Sequence, residues 1–402
     1  VIACTVAAAA AQPAPPTQPQ QAGPPPRALP PAAELAGERL AADLREEVQR
    51  LEVTAKDWYG RQETTSIALT TFRPSGEGPF PLAIVSHGRA DTQQRAAQGR
   101  QRFEMLARYL VQKGFAVFVP TRVGYGDTFR LGFDPEDSGP CQAKRYEPMA
   151  VAASEQVLAA LARAQATPWV DARRWVAIGQ SVGGMTTLAV AARRAPGLVA
   201  AINFAGGSGG DPQGRPGDPC SPDEMARLWR TQATTAAGLP TLWIYWRHDR
   251  YWGEQVPRRW AEAWREGGGQ VQFHQLPPWN DDATADGHLG LARDMDRWVP
   301  LVEAYLAAAG FRTSGLVARP PATRFARLDE VDNVPVNEAR RALYRRFLEA
   351  KAPRAFAIGP GGNAFWASGD WAAGRALGGC QWQSGQPCRL YAVDDDIVWQ
   401  PF

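Results

Sequence analysis

A short apolar run, Trp175-Val176-Ala177-Ile178, passes directly into Gly179-Gln180-Ser181-Val182-Gly183. It continues into Gly184-Met185-Thr186-Thr187-Leu188-Ala189-Val190-Ala191-Ala192, a segment rich in small and apolar residues. Strand, Gly-x-Ser-x-Gly and helix in immediate succession are the context of a nucleophile elbow, a tight turn that projects the serine hydroxyl from the edge of a sheet. Glycines two residues either side of the serine let strand and helix approach where a Cβ would collide. This stretch calls for a strand followed by a helix on one side of a sheet, and so restricts the chain to a small set of α/β architectures.

The rest of the chain supplies the other layers. Alternating strands are expected at Leu51–Asp57 and Thr65–Phe72, and a continuous apolar strand at Leu82–Ser86, the pattern of a strand buried on both faces. Then come a helix over Arg102–Gln112, a strand over Ala116–Pro120, a helix over Met149–Ala164 and the elbow. Beyond it follow strand Val199–Phe204, helix Pro222–Ala236, strand Thr241–Trp246, helix Glu254–Arg265, strand Val271–Leu276 and helix Met295–Ala308. Strand and helix in rotation predict an α/β fold with a doubly wound, mostly parallel sheet. Ahead of it, Leu35, Leu40, Leu44 and Val48 predict a short amphipathic helix over Ala33–Arg50. After a Pro-containing polar break at Thr313–Arg324, an amphipathic helix over Asn337–Ala350 and strands at Ala355–Ile358 and Leu390–Val393 predict a small α+β appendage. The expected divisions are residues 1–32, a signal remnant and Pro/Gln/Ala-rich linker; 33–312, the catalytic domain; and 313–402, a C-terminal module.

Val1–Ala11 is alanine-rich and apolar and reads as the later part of a secretory signal. Val1-Ile2-Ala3-Cys4 also fits a lipobox, which would make Cys4 a lipid anchor. Neither stretch is long enough to span a bilayer, so no transmembrane segment is expected. A formal charge of +3 on 402 residues gives no reason to expect nucleic acid as a partner. The remaining four cysteines, Cys141, Cys220, Cys380 and Cys388, are an even set behind a signal-like segment and suggest disulfides in a secreted or periplasmic protein. Three connectivities are possible; Cys141–Cys220 with Cys380–Cys388 keeps each bridge within one expected domain. No Cys-x-x-Cys is present, so no metal site is expected.

A serine needs a base within reach and the base needs an orienting acid. The chain has four histidines. His87 ends the first buried strand, His248 adjoins a carboxylate, and His274 lies inside a strand. His288 sits in the loop after the last strand of the rotation, where loops leaving the carboxyl ends of parallel strands converge. It is therefore the expected base. Asp249, at the end of Leu242–Trp246 and its following turn, is the expected acid; Asp282 and Asp286, nearer His288 in sequence, are rivals read as solvated loop carboxylates. The order Ser181, Asp249, His288 follows. An oxyanion needs two preorganised donors, expected from the N–H groups of Val182 and of Arg89, with His87-Gly88 shaping the second loop. Tyr125, Trp246, Tyr251, Trp252 and Trp279 fall on loops or strand ends at the same edge and are the candidate pocket aromatics, beside His87 and Gly88.

Ser-His-Gly at 86–88, Gly-Gln-Ser-Val-Gly at 179–183, Arg-His-Asp at 247–249 and Gly-His at 287–288 resemble the α/β-hydrolase superfamily over about residues 50–310. The compact arrangement is most similar to its dienelactone-hydrolase-like branch. The resemblance implies a serine carboxylic-ester hydrolase working through an acyl-enzyme, without a cofactor, on a small-molecule or polymer-borne ester. Dienelactone hydrolases proper carry a cysteine where this chain has Ser181, so a lactone substrate is not implied. A serine peptidase of the prolyl-oligopeptidase type shares the triad order. A binding protein on an inert hydrolase scaffold is the third reading. Ala-Leu-Gly-Gly-Cys at 376–380 and Pro-Cys-Arg-Leu-Tyr-Ala-Val at 387–393 resemble small cysteine-containing modules of secreted proteobacterial proteins and imply no chemistry.

Overall fold

In the computed structural model the described residues are 40, 41, 44–74, 76–279, 286–312, 320–369, 372–384 and 386–402. The proposed signal and linker over 1–32, Cys4 and Asp282 lie outside them. In chain order the first layer of elements is β1 (Glu47–Lys56), β2 (Gln62–Phe72), β3 (Phe80–Ser86), α1 (Thr92–Ala97), α2 (Glu104–Gln112), β4 (Ala116–Pro120), α3 (Tyr146–Gln165), β5 (Val170–Gln180) and α4 (Val182–Ala192). Then follow β6 (Leu198–Phe204), α5 (Pro222–Thr235), β7 (Pro240–Trp246), α6 (Gln255–Glu266), β8 (Gln270–Leu276), α7 (Gly290–Arg293) and α8 (Met295–Ala308).

These strands form one eight-stranded sheet in the order β1-β2-β4-β3-β5-β6-β7-β8. β1 and β2 pair antiparallel, and β2 pairs antiparallel with β4; the remaining six strands are parallel. Chain progression reverses beside β3: β4 lies on one side of it and β5 on the other. That switch point, at the carboxyl ends of β3 and β5, is where an open α/β sheet leaves a crevice. It is also where the elbow falls.

The buried central strands explain the apolar runs. Val85, Val117, Val176 and Ile178 pack on one face against Leu106 and Leu110 of α2 and Trp298 and Val302 of α8. Ile84, Phe118 and Ala177 point the other way, onto Val157, Ala160 and Leu161 of α3. Toward the β7 edge, Trp229 of α5, Trp243 of β7 and Trp260 and Trp264 of α6 fill the interior, with edge-to-face contacts of 4.8 Å (Trp229–Trp243) and 5.1 Å (Trp229–Trp260). Each such ring contributes about 1.5–3 kcal/mol from burial alone.

Of the expected helix over Ala33–Arg50, residues 33–39, 42 and 43 lie outside the described residues; none of the described ones is α-helical, and Glu47–Arg50 opens β1 and pairs with Leu69–Thr71 and Ala68 of β2. Register along the β2 edge wins over the near-helical spacing of Leu44 and Val48. The carboxyl-terminal region forms α9 (Glu338–Glu349), β9 (Arg354–Ile358), β10 (Ala364–Ser368), α10 (Ala372–Ser384), β11 (Arg389–Val393) and β12 (Asp396–Ile397). Its sheet is antiparallel, in the order β10-β9-β11-β12. Tyr344 and Phe347 of α9 pack on Phe356 and Tyr391, whereas Ala372, Ala376 and Cys380 of α10 cover the opposite face. α10 also meets α2, where Arg108 Nε donates to Gln381 Oε1 at 2.6 Å. The cysteine pairs Cys141–Cys220 and Cys380–Cys388 lie at disulfide distance, with Cα separations of 4.8 and 6.1 Å. Among the described residues no helix is long and apolar enough to cross a membrane.

Candidate active site

Ser181 links β5 to α4 with φ 57° and ψ −124°, a conformation a non-glycine residue adopts only where its surroundings enforce it. Its backbone N–H donates to the Phe204 carbonyl (3.0 Å) and its own carbonyl accepts from Gly207 (3.1 Å). The closeness of the flanking strands sets the turn: a Cβ on Gly179 would collide with the Gly183 carbonyl, and one on Gly183 with the Ser86 carbonyl. The elbow therefore needs both glycines for packing, as its sequence implies.

The loop leaving β7 carries Asp249, whose carboxylate is buried. Its Oδ1 accepts from the backbone N–H groups of Tyr251 (2.8 Å) and Trp252 (3.1 Å). Its Oδ2 faces His288 Nδ1 at 3.0 Å. Because Asp249 is held by two backbone donors, its second oxygen is free to fix the imidazole so that Nδ1 carries the proton and Nε2 is left as the basic nitrogen. Tyr251 stacks on the His288 ring at 4.0 Å, and Trp252 meets it edge-on at 5.5 Å. Gln180, immediately before Ser181, donates Nε2–H to the His288 carbonyl at 3.0 Å. The residue preceding the serine thus ties the elbow to the histidine loop. Asp286 Oδ1 accepts from the backbone N–H groups of His288 and Arg250, each at 3.0 Å, rather than from the His288 ring. It is a loop staple rather than a solvated carboxylate or a rival partner. His248 is exposed, with φ 62°, and its carbonyl accepts from Gly287. His274 lies in β8 as expected, and burial lowers its pKa.

Across the crevice, Gly88 lies over the serine: a Cβ there would sit 3.1 Å from Ser181 Cβ and 3.6 Å from its Oγ. Arg89 follows directly, and Val182 opens α4, where the first N–H groups lack intrahelical acceptors. The loop carrying Gly88 is held by His87, which is buried and bonded at both ring nitrogens. Nε2 accepts from the Arg122 N–H at 3.0 Å, so Nδ1–H donates to the Gly88 carbonyl at 2.7 Å. Burial, with the nearby Arg122 charge, pushes the His87 pKa well below the usual histidine range and keeps the ring neutral. His87 is a brace, not the pocket residue expected.

The Arg89 side chain forks onto Asp134, Nη1–Oδ1 at 3.0 Å and Nη2–Oδ2 at 2.5 Å, and Arg95 reaches the same carboxylate at 2.7 Å. Burial favours the neutral acid at Asp134, but the Arg89 and Arg95 bonds and charges outweigh it and lower the pKa. Behind them Arg122 and Glu136 form a fully buried ion pair. Nothing in the sequence pattern marks Asp134 or Glu136, which lie in a Gly/Pro-rich loop that reads as solvated.

The candidate aromatics separate. Tyr251 is half-buried against His288, and Trp279 lies in the same loop region, its Nε1 donating to the Asp286 carbonyl at 3.0 Å. Tyr125, Trp246 and Trp252 are at most 1% exposed and are corrected to core and bracing positions. Tyr125 packs edge-on against His87, Trp246 Nε1 donates to Asp294 (2.6 Å), and Trp252 Nε1 donates to the Ala205 carbonyl (2.7 Å). Cys141 and Cys220 bridge the loops before α3 and α5, where Tyr146 Oη donates to the Cys220 carbonyl at 2.6 Å. Among the described residues no cluster of three or more His, Cys, Asp or Glu is placed to hold a metal ion.

The parallel sheet, the strained serine turn at its switch point and the late histidine loop define an α/β-hydrolase fold. No protein-family model and no curated protein sequence matches the chain. Among solved structures, the chain is similar to a protein described as a dienelactone hydrolase from Klebsiella pneumoniae (18% identity, 65% of this chain and 99% of that one, TM-score 0.41). It is also similar to a thermophilic esterase of Thermogutta terrifontis (16%, 62% and 92%, TM-score 0.41) and to an acylaminoacyl peptidase of Pyrococcus horikoshii (13%, 70% and 44%, TM-score 0.42).

Proposed function

We propose that the chain is a serine carboxylic-ester hydrolase that works through an acyl-enzyme. The observation that carries this reading is the Asp249–His288 pair, tied to the elbow through Gln180, with Gly88 lying over the serine. In this reading His288 Nε2 takes the Ser181 proton as Oγ attacks the ester carbonyl carbon. The N–H groups of Val182 and Arg89 receive the oxyanion, and Asp249 stabilises the imidazolium without taking its proton. The C–O bond then breaks and His288 protonates the departing alcohol. Water, deprotonated by the same nitrogen, hydrolyses the acyl-enzyme and restores Ser181. Side chains, backbone and water suffice, with no cofactor in the cycle. Tyr251 and Trp279 offer an apolar rim suited to an acyl or aromatic group on a small or polymer-borne ester.

The two cysteine pairs support an oxidising location, secreted or periplasmic. Residues 33–312 are proposed as the catalytic domain and 313–402 as a module joined to it. The test is a panel of p-nitrophenyl esters of graded acyl length, beside aminoacyl arylamides, on wild type and Ser181→Ala. Ester turnover and fluorophosphonate labelling are expected for wild type and absent in the variant. Labelling that survives the substitution, or turnover confined to arylamides, overturns the assignment; the latter would favour a peptidase.

A further inference from the structure

A cleft of about 670 Å³ lies beside the site, between the start of α2, the turn after His288 and the carboxyl-terminal region. Its apolar walls include Phe103, Met105, Leu291 and Ala292, and its far wall is α10 together with Pro387. The charged groups at its margin answer one another, Arg102 meeting Glu104 at 3.3 Å, so the cleft does not select for a charged ligand. Three amide residues also border it, Gln180, Gln381 and Gln386, and Gln386 is exposed to solvent. Gln180 is already committed to the His288 carbonyl.

Gln381 is different. It is 7% exposed, and its Oε1 is taken by Arg108 Nε at 2.6 Å. Arginine has only donors, so the amide cannot be turned round. Its Nε2–H₂ is therefore fixed as the remaining group, and it is buried with no acceptor among the described residues. Buried donors are nearly always satisfied, and an exception calls for an explanation. A space lined by apolar side chains next to a shielded, unanswered amide donor has the composition of a small-molecule site, mostly apolar with a few polar groups that fix orientation.

We propose that this cleft is a binding site for an uncharged molecule with an apolar chain and a carbonyl acceptor, the carbonyl answering Gln381 Nε2–H. The site is shared between the hydrolase sheet's helices and the carboxyl-terminal region, which gives that region a role in ligand recognition. The proposal does not depend on the chemistry assigned to Ser181.

The test is calorimetric titration with N,N-dimethyloctanamide, which has an acceptor, no donor, no charge and no ester. Saturable binding is expected for wild type and equally for Ser181→Ala, which separates this site from the hydrolase reading. Gln381→Glu keeps the oxygen for Arg108 and replaces the donor with an acceptor, so the affinity should fall about tenfold or more. Ala292→Phe fills the cleft from its other wall and should weaken binding at least as much, with thermal melts showing that both variants fold. No saturable binding to wild type, or a dissociation constant that neither substitution changes, overturns the proposal. The same amide added to p-nitrophenyl acetate hydrolysis identifies the natural occupant. Competitive inhibition means that the cleft holds part of the substrate, and an effect on kcat alone, or none, means that it holds a separate ligand. The site stands under either pattern.

Discussion

Gly88→Ala separates catalysis from stability at this site. The added Cβ would lie 3.1 Å from Ser181 Cβ, 3.5 Å from the Gln180 carbonyl and 3.6 Å from Ser181 Oγ. The first contact is too short by a few tenths of an ångström, so the loop must lift. It has little freedom to do so elsewhere. His87 is bonded at both nitrogens, and the Arg89 fork is held on Asp134. The displacement therefore falls on the Gly88–Arg89 peptide, whose N–H is the proposed second oxyanion donor. Overpacking costs about 1–3 kcal/mol, offset by about 0.4–1 kcal/mol from the stiffer unfolded chain, leaving a net loss of at most about 2.6 kcal/mol. A fold of ordinary stability remains almost wholly native after such a loss. Losing one oxyanion donor, in contrast, costs about 10²–10³-fold in kcat, or about 2.7–4 kcal/mol. The assay is kcat and KM for p-nitrophenyl acetate beside a thermal melt of the same preparation. The expected result is kcat lower by two to three orders of magnitude, KM little changed and a small drop in Tm. An unchanged kcat would refute the placement of the oxyanion site, and a loss of activity that tracks loss of folded protein would refute the partition.

Three further outcomes follow from the same geometry. Asp249→Asn keeps an oxygen for the Tyr251 and Trp252 N–H groups but turns an NH₂ toward His288 Nδ1, forcing the wrong tautomer; kcat should fall about 10³–10⁴-fold with near-native melting, read by ester kinetics and circular dichroism. Glu136→Gln strands the buried Arg122 charge and should cost about 3–5 kcal/mol in denaturant titration, with much of the loss recovered in Arg122→Met/Glu136→Gln; equal stability of the single and double variants would show that the pair is not the cause. His87, with its folded pKa depressed, contributes stability that is fully present above its unfolded pKa of about 6.5 and is lost as pH falls below it, by at most about 1.4 kcal/mol per pH unit; Tm measured from pH 8 to 5 should show this slope in wild type and a shallower one in His87→Gln.

The elements that were legible in the sequence are those whose burial imposes a period. β4 occupies Ala116–Pro120 and α8 occupies Met295–Ala308, as expected, because a strand buried on both faces and a helix with one apolar face leave strong patterns. The proposed order Ser181, Asp249, His288 rests on where loops leave parallel strands, and the structure pairs Asp249 with His288. β10 and α10 were not anticipated, although they form half of the second sheet's surroundings. Ala364–Ser368 is too short to show alternation, and Ala372–Ser384 contains three glycines and small residues whose buried face is alanine rather than leucine. Such a helix is specified by its neighbours, since only a partner sheet and α2 together make a stripe of Ala372, Ala376 and Cys380 an interior face.

The candidate site divides along the same line. Side chains that carry the proposed chemistry sit at strand ends, and strand ends follow from local sequence. The side chains that hold them do not. Trp246 and Trp252 read as pocket aromatics because they adjoin the Asp249 turn, yet their rings face inward to Asp294 and the Ala205 carbonyl, partners 48 and 47 residues away. Arg122 and Glu136 are charged residues in loops, which ordinarily means solvent; here they are fully buried because each neutralises the other beneath the His87 loop. Gln381 belongs with them: its meaning comes from Arg108, 273 residues earlier, which takes its oxygen and leaves its nitrogen with no acceptor among the described residues. A sequence states which groups are present at an edge, but the balance of donors and acceptors closes only across long separations. The groups left unbalanced there, rather than the motif, are what point from the fold to a ligand.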